Sequence, residues 1–578
     1  MSDIHSVRHS AAHVMAEAIQ KLYPSAQFAY GPETDDGFYY DVKIPDGSLS
    51  EDDLPKIEKL MKEIVRNGHP FAREEVSREE AIKLFAGQKF KVLTLENQLK
   101  DEKSVSVYRQ GDFVDLCRGP HVEKTSEIKA FKVSRISGSY WLGDSKNEPL
   151  QRVYGLCFAT KEELKNYETM LEEAKKRDHR LIAKQLKLFS WHDEGPGFPF
   201  MMPNGKTVFN LLVEYNRKKN LERGYVEVST PQMLIDDLWA ISGHTDYYRD
   251  HMYFSTVDER GYAIKPMNCP GAMLMYKEER RSYREFPLKV AEFGLVHRHE
   301  LSGVLHGLFR VRAFTQDDAH IYCPYDDLKP QVVDSISHIT EVYRDFGFND
   351  YSLFIATRPD KAIGDPAMWD HAIEILKQSL DEKGMPYKIK EKEGAFYGPK
   401  IEFNVKDCIG RNWQIGTVQV DFFLPERFGL EYVGPDGATH RPAMLHRAIF
   451  GSLERFIGIL IEQTMGAFPV WIAPVQAIVL PITDGQNQYA RSLAARLKKE
   501  GVRVEVDESS ERVQKKIRNA QLMKVPYMLV VGGKEAESGQ AAVRLRTGVD
   551  LGAMPVEKFL AGMKMVEQQK SDDLWPEV

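Results

Sequence analysis

The chain has 578 residues, 42% hydrophobic and 28% charged, enough for several folded domains. A net charge of −7 excludes polyanion binding through overall charge, so any nucleic-acid contact must rest on local basic surfaces. Five scattered cysteines, an odd number, argue against a disulfide framework and favour a reducing compartment, with the cytoplasm expected. No apolar run follows Met1, against a secretory signal, and Pro469, Pro474 and Pro481 interrupt the most apolar stretch, against a membrane span.

In chain order, residues 1–165 read as one unit: a helix over 9–23, then short strands and Gly/Pro turns, with Gly-Ser-Tyr-Trp-Leu-Gly-Asp at 138–144. A charged helical stretch over 161–186 reads as a rigid connector, placed at 166–190. Residues 191–472 carry long strands, helices and many aromatics, as one large core requires. From 473 to 578 strands (475–480, 502–506, 527–531, 541–546) alternate with helices (489–500, 510–522, 556–568), the second opened by Ser510 as N-cap. That alternation argues a small α/β domain with a mixed or mostly parallel sheet. Basic helical stretches at 172–187 and 512–524 are the candidate nucleic-acid surfaces, a solvated helix face being the plain alternative.

Three distant residues suggest a metal site. Cys269 lies in Lys-Pro-Met-Asn-Cys-Pro-Gly (265–271), His320 ends an alternating strand, and His446 opens an amphipathic helix. One thiolate and two imidazoles suit zinc and leave a fourth position open, as catalytic zinc requires. Unrelated core residues are the plain alternative, and the neighbours argue against it. If 308–321 is one strand, Arg310, Arg312, Phe314, Gln316, Asp318 and His320 share a face, opposite Val311, Ala313, Thr315, Asp317, Ala319 and Ile321. The arginines suit phosphate, the ring a stacked base, Asp318 an ammonium group and His320 a metal. The same parity puts Arg298 and Glu300 on one face of the preceding strand; a structural row of salt bridges is the alternative.

Arg298-x-Glu300, a turn and an Arg-rich return strand resemble the second signature motif of class II aminoacyl-tRNA synthetases. Gly451-Ser-Leu-Glu-Arg455 resembles the third, and Pro231, after a strand at 225–228, resembles the first. KPMNCPG (265–271), FTQDDAH (314–320) and MLHRAIFGSLERF (444–456) narrow the resemblance to the threonyl-tRNA synthetase family, over residues 5–570. It implies an α+β multidomain fold: an antiparallel-sheet catalytic core (191–472), an N-terminal α+β editing domain and a C-terminal α/β anticodon-binding domain. It also implies ATP-dependent ligation of threonine to tRNA(Thr) through an adenylate, by a homodimer, with Mg2+ on ATP and one Zn2+ on Cys269, His320 and His446. Arg298, Arg455 and Lys400 would be the catalytic residues, the two arginines on the α- and γ-phosphates. Glu300 would read adenine, with Arg310, Phe314 and Gln414 also on ATP. Gln316, Asp318, Tyr397 and Gln419 would line the threonine site. Gln414 and Gln419 differ in parity across 413–420, so a bulge or two separate roles is required.

A hydroxyl-demanding site rejects valine by about 10⁴–10⁵, but serine, one methyl smaller, by only about 10–200-fold. A hydrolytic corrector is therefore expected. His9 and His13 share a helix face at i, i+4, and Asp115-Leu-Cys-Arg-Gly-Pro-His121 adds Cys117 and His121. These four could bind a second zinc; the resemblance implies instead a metal-free pocket for seryl-tRNA hydrolysis, aided by Lys91 and Asp115. It also implies anticodon contacts at Arg518, Glu535 and Arg544, for which ordinary surface charge is the alternative. Three features depart from the family. The ubiquitin-like domain that often precedes the editing unit is not in this sequence, Ala272 stands where His is usual, and Ser510 where a relative has Asn. A prolyl- or seryl-type synthetase, a non-charging tRNA-binding paralogue and a stand-alone deacylase remain the other readings.

Overall fold

The computed structural model describes residues 3–144, 146–407 and 410–576, folded as two compact units, Met1–Glu173 and Ala174–Val578. In the first, the helix Ile4–Leu22 forms because Val7, Ala11, Val14, Met15 and Ala18 recur at helical spacing and are all buried. It starts earlier than the expected 9–23 and stops ahead of Pro24. It packs with the helix Leu54–Asn67 on an antiparallel sheet ordered Gln27–Phe28, Gly37–Lys43, Pro149–Phe158, Ala130–Tyr140. A second antiparallel sheet joins Ala72–Ser77, Ser104–Gln110 and Phe113–Leu116.

The second unit is built on an eight-stranded sheet. Its order is Val226–Glu227, Leu288–His297, Ala313–Cys323, Ala443–Ala448, Asn412–Asp421, Lys400–Lys406, Tyr351–Ala356, Tyr387–Lys390. All neighbours are antiparallel except the outermost pair at each edge. One face enters the main core: Ala319, Ile321, Leu445, Val418, Val420, Ile401 and Phe403 pack with residues of the helices Leu328–Asp345, Pro366–Glu382 and Leu453–Thr464. The other face carries polar side chains in rows. His320 pairs with His446, His446 with Gln419 and Gln419 with Lys400, one line across four strands.

Residues 308–321 are not one strand: Gly307–Phe309 forms a 3-10 turn, with Gly307 at φ 48°, and the strand is Ala313–Cys323. Arg312 therefore leaves the expected face and donates to the Pro196 and Glu300 carbonyls. Arg298 and Glu300 lie past the end of the strand Leu288–His297. His446 sits mid-strand in Ala443–Ala448, and the helix opens only at Leu453 with Ser452 as its cap. Residues 443–450 are apolar at nearly every position, and such a run has no period that separates strand from helix. The connector is two helices, Lys161–Arg177 and His179–Leu186, broken at Asp178, whose side chain caps the second.

The C-terminal sheet is ordered Val504–Val506, Ala477–Pro481, Tyr527–Val531, Gln540–Leu545, Asp550–Pro555, the first three parallel and the last two antiparallel. The mixed sheet matches expectation, while the strand Asp550–Pro555 and helix Gly533–Ser538 were not anticipated. The helix Val513–Leu522 is preceded by Arg512 as cap residue, not Ser510.

Candidate active site

A cavity of about 290 Å³ opens on the polar face of the eight-stranded sheet. Arg298, Glu300, Arg310, Phe314 and Arg455 line it on one side, and Gln316, Asp318, Tyr397, Lys400 and Gln419 on the other. Gln414 lines it too, and the parity conflict resolves as a bulge. Phe403 pairs with Gly416 and Asn404 with Gln414, leaving Ile415 without a cross-strand partner and returning Gln414 to the face of Gln419. Gly451, at φ 70°, opens the third motif against this bulge, where a Cβ would stand 2.3 Å from the Ile415 carbonyl oxygen.

Three guanidinium groups set the charge of the pocket. Arg455 is held by two carbonyls, Nε donating to Phe309 (2.9 Å) and Nη1 to Gln414 (2.9 Å). Burial, then Arg298 and Arg310, lowers its pKa to about 10, so the site favours an anion. Arg298 stacks 5.1 Å from the Phe314 ring centroid. Arg310 pairs with Glu300 at 2.9 Å and Lys400 with Glu402 at 2.7 Å. Asp318 accepts from Asn268 Nδ2 (3.3 Å), and Gln419 donates to the Gly398 carbonyl (2.8 Å).

The suspected metal ligands converge. One ligand atom from each of Cys269, His320 and His446 lies within 4.8 Å of the others, and all three residues are buried. His320 Nε2 is buried with no hydrogen-bond partner among the described residues, and burial lowers this imidazole to about 4, so it is a neutral donor. His446 Nε2 meets the Asp421 carboxylate at 2.9 Å, the pairing that orients metal-ligating rings. Burial, then Asp318 and Asp421, pushes the Cys269 thiol well up. An orphaned imidazole nitrogen beside a thiol and a carboxylate-held imidazole fits a borderline-soft cation such as zinc.

In the first unit, His9, His13, Cys117 and His121 also bring one donor atom each within 4.8 Å. The Pro120 carbonyl can only accept, so His9 Nδ1 carries the proton (3.2 Å), and Nε2 turns its lone pair to Cys117 Sγ at 3.3 Å. The Ser10 hydroxyl gives its proton to the Ser6 carbonyl, so His121 Nδ1 donates to Ser10 and Nε2 faces Cys117 Sγ at 3.4 Å. Burial lowers the pKa of all three histidines and pushes the Cys117 thiol up to about 11. Beside them, Asp115 takes Lys91 Nζ (2.5 Å) and the Tyr40 hydroxyl (2.5 Å), with His13 Nε2 at 3.4 Å.

The three C-terminal candidates form no such cluster. Arg518 is exposed, Arg544 lies 3.7 Å from Asp550, and Glu535 accepts from Gly532 N (2.9 Å) as a helix cap. Of the basic stretch 512–524, Lys516 points inward, onto the Pro481 and Asp507 carbonyls.

Sequence reasoning missed Asp317, Asp421 and Glu454. Asp317 faces away from the cavity and accepts from Asn216 Nδ2 and the backbone of Ile449, Phe450 and Gly451, fixing the turn into the third motif. A carboxylate on an otherwise apolar strand face was the available signal. Asp421 shares parity with Gln419, two residues earlier, and was findable.

Known proteins match these features. The family description "tRNA synthetase class II core domain (G, H, P, S and T)" matches residues 253–464, and "Anticodon binding domain" matches 476–565. "Threonyl and Alanyl tRNA synthetase second additional domain" matches 105–154. The threonine–tRNA ligase of Clostridium tetani (strain Massachusetts / E88) is 51% identical over 558 residues, 96% of this chain and 87% of that protein. The chain belongs to the threonyl-tRNA synthetase family. A second family member, from Carboxydothermus hydrogenoformans, is 51% identical over 96% of this chain and 87% of its own length. The solved "RNA binding domain of Threonyl-tRNA synthetase" from Cryptosporidium parvum Iowa II aligns with a TM-score of 0.66 at 38% identity, covering 67% of this chain and 98% of that one. Prolyl-tRNA synthetase from Cryptosporidium parvum, at 16% identity and a TM-score of 0.54, shares the fold alone.

Proposed function

We propose that the chain ligates L-threonine to tRNA(Thr) through a threonyl-adenylate and hydrolyses seryl-tRNA(Thr) at a second site. The observation that carries this is the row His320–His446–Gln419 beside Cys269, opening into the cavity that holds Arg298, Arg455 and Lys400. Residues 191–472 form the synthetic core, 1–165 the hydrolytic unit, 166–190 the connector and 473–578 the anticodon module. The three matched segments fall inside the core, the hydrolytic unit and the anticodon module.

Arg298, Arg455 and Lys400 hold ATP, with Mg2+, so that the α-phosphorus faces the threonine carboxylate; the step needs positioning and charge stabilisation more than proton transfer. Phe314 stacks on the adenine and Glu300 reads its amino group, with Arg310 and Gln414 at the phosphate and ribose side. Asp318 attracts the threonine ammonium, while Gln316, Tyr397 and Gln419 wall its side chain. Cys269, His320 and His446 would hold zinc, which when bound would act as a Lewis acid toward the threonine amino and hydroxyl groups, a demand that valine cannot meet.

In the hydrolytic pocket the lowered imidazoles His9, His13 and His121 are free bases at neutral pH. One of these nitrogens takes a proton from the water that adds to the seryl carbonyl and returns it to the ribose oxygen as the acyl–oxygen bond breaks, giving serine and free tRNA, while Lys91 with Asp115 and Tyr40 orients the ester. The Cys117 thiol, raised to about 11, is protonated and is not the nucleophile.

Arg518, Glu535 and Arg544 face the anticodon in this reading. A homodimer belongs to it as well, supported by exposed Leu221, Val226, Met233 and Ile235 around the edge strand Val226–Glu227. The cytoplasm is the proposed compartment: Cys117, Cys157, Cys269 and Cys323 are free thiols, as a reducing compartment would keep them. Among the described residues no helix is long and apolar enough to cross a membrane. ATP–pyrophosphate exchange dependent on threonine tests the ligase reading. Exchange with proline or serine but not threonine reverses the substrate, and no exchange with any amino acid makes the chain a non-charging paralogue.

A further inference from the structure

Behind Phe309, where it lines the ATP pocket, a buried network ties the start of the helix His179–Leu186 to the third motif. His179 is fully buried. Its Nε2 accepts from the Leu308 backbone N–H at 2.9 Å, so its proton sits on Nδ1, which donates to Glu462 Oε1 at 2.7 Å. The other Glu462 oxygen takes the Arg411 guanidinium. Asp178, His179 and Glu462 have the spacing of a metal site, yet both nitrogens of His179 and both oxygens of Glu462 are engaged in hydrogen bonds. The cluster is a brace and not a ligand set.

What it braces is the turn Gly307–Phe309. A Cβ at Gly307 would stand 2.1 Å from His179 Nε2, so the imidazole lies directly on that backbone. The His179 ring is 4.3 Å from the Phe309 ring, which stacks 4.3 Å from Trp413. The Phe309 carbonyl is one of the two acceptors that aim Arg455 into the cavity, and Gln414, next to Trp413, supplies the other. Leu308 N and Phe309 O lie two peptide planes apart in a 3-10 turn that the Phe309 N–H closes onto the His306 carbonyl (2.9 Å), so the hydrogen bond from Leu308 and the ring contact with Phe309 restrain that carbonyl through the turn.

We propose that His179 is a positioning residue for ATP binding: through the Leu308 N–H it sets the Phe309 carbonyl and, with it, the guanidinium of Arg455. This rests on the assignment of Arg455 to ATP in the reading above. The test is ATP–pyrophosphate exchange with four variants of the full chain. His179→Gln can still accept from Leu308 N and donate toward Glu462; His179→Asn reaches only Glu462; His179→Leu does neither. The Asn and Leu variants should raise the KM for ATP about tenfold, the loss of roughly one charge-assisted hydrogen bond from a misaimed Arg455. Gln should stay within about threefold of the parent, and the KM for threonine should stay at its parent value in all three. Equal ATP KM values for Asn and Gln, or ATP and threonine KM rising together, would overturn the proposal. Where the Leu variant does not fold, the Asn–Gln pair carries the comparison. Arg455→Ala separates the two levels: an unchanged ATP KM there removes Arg455 from ATP, whereas a raised one beside unaffected His179 variants removes only His179.

Discussion

Glu454 opens the helix that presents Arg455, and its carboxyl is buried with one oxygen accepting from Thr315 N (2.8 Å) and Ser452 Oγ (3.3 Å). Burial raises its pKa from 4.5 to about 7, against the opposing pull of the hydrogen bonds from its own and Thr315's N–H. Between pH 4.5 and 7 the folded chain keeps a proton that the unfolded chain has released, so stability falls as pH rises through this window. At about 1.36 kcal/mol per pH unit the deficit is about 3 kcal/mol, absent below the lower pKa and complete above the upper one. Glu454→Gln keeps the acceptor for Thr315 N and removes the charge. Unfolding a unit of roughly 400 residues has an entropy of about 0.85 kcal/mol/K, so 3 kcal/mol becomes about 4 °C. Calorimetry of the full chain should show the Gln variant level with its parent near pH 4 and about 4 °C higher at pH 8. A pH-independent difference, or a variant less stable at pH 8, would refute the assignment of a buried ionising carboxyl.

Three further outcomes follow from the sites. Cys269→Ser should take bound zinc from about one per chain to near zero by elemental analysis and cut threonine activation about a hundredfold or more, with unchanged circular dichroism. A full equivalent of metal left in that variant would instead locate the ion at His9, His13, Cys117 and His121. The double change His9→Ala, His13→Ala should leave threonine charging intact while seryl-tRNA accumulates; unchanged seryl-tRNA hydrolysis would dismiss the N-terminal pocket. Arg455→Lys keeps the charge but cannot span the Phe309 and Gln414 carbonyls, so the KM for ATP should rise about tenfold in exchange assays.

Much of the fold was legible because its signals are local. The buried face of Ile4–Leu22 repeats at helical spacing, and the strand Tyr527–Val531 agrees with its expected bounds. Within Ala313–Cys323 alternation correctly put Gln316 and Asp318 beside each other. Alternation failed where the backbone stops being extended: Gly307 turns the chain ahead of that strand, and Arg312 leaves the face its parity assigned. His446 was placed on a helix because its surroundings are apolar at both periods. Asp317 and Asp421 escaped notice because their partners lie far away in sequence.

The amino-acid sequence alone determined which chemistries were available: a thiol, two imidazoles, three guanidinium groups and a second histidine–cysteine set, each in a segment with its own period. It left open how those segments face one another. Only cross-strand pairing put His320 opposite His446, and only the unpaired Ile415 brought Gln414 round to the side of Gln419. Register is chosen by which side chains the sheet can bury against its helices, a balance summed over strands more than a hundred residues apart, and no local window of sequence contains it.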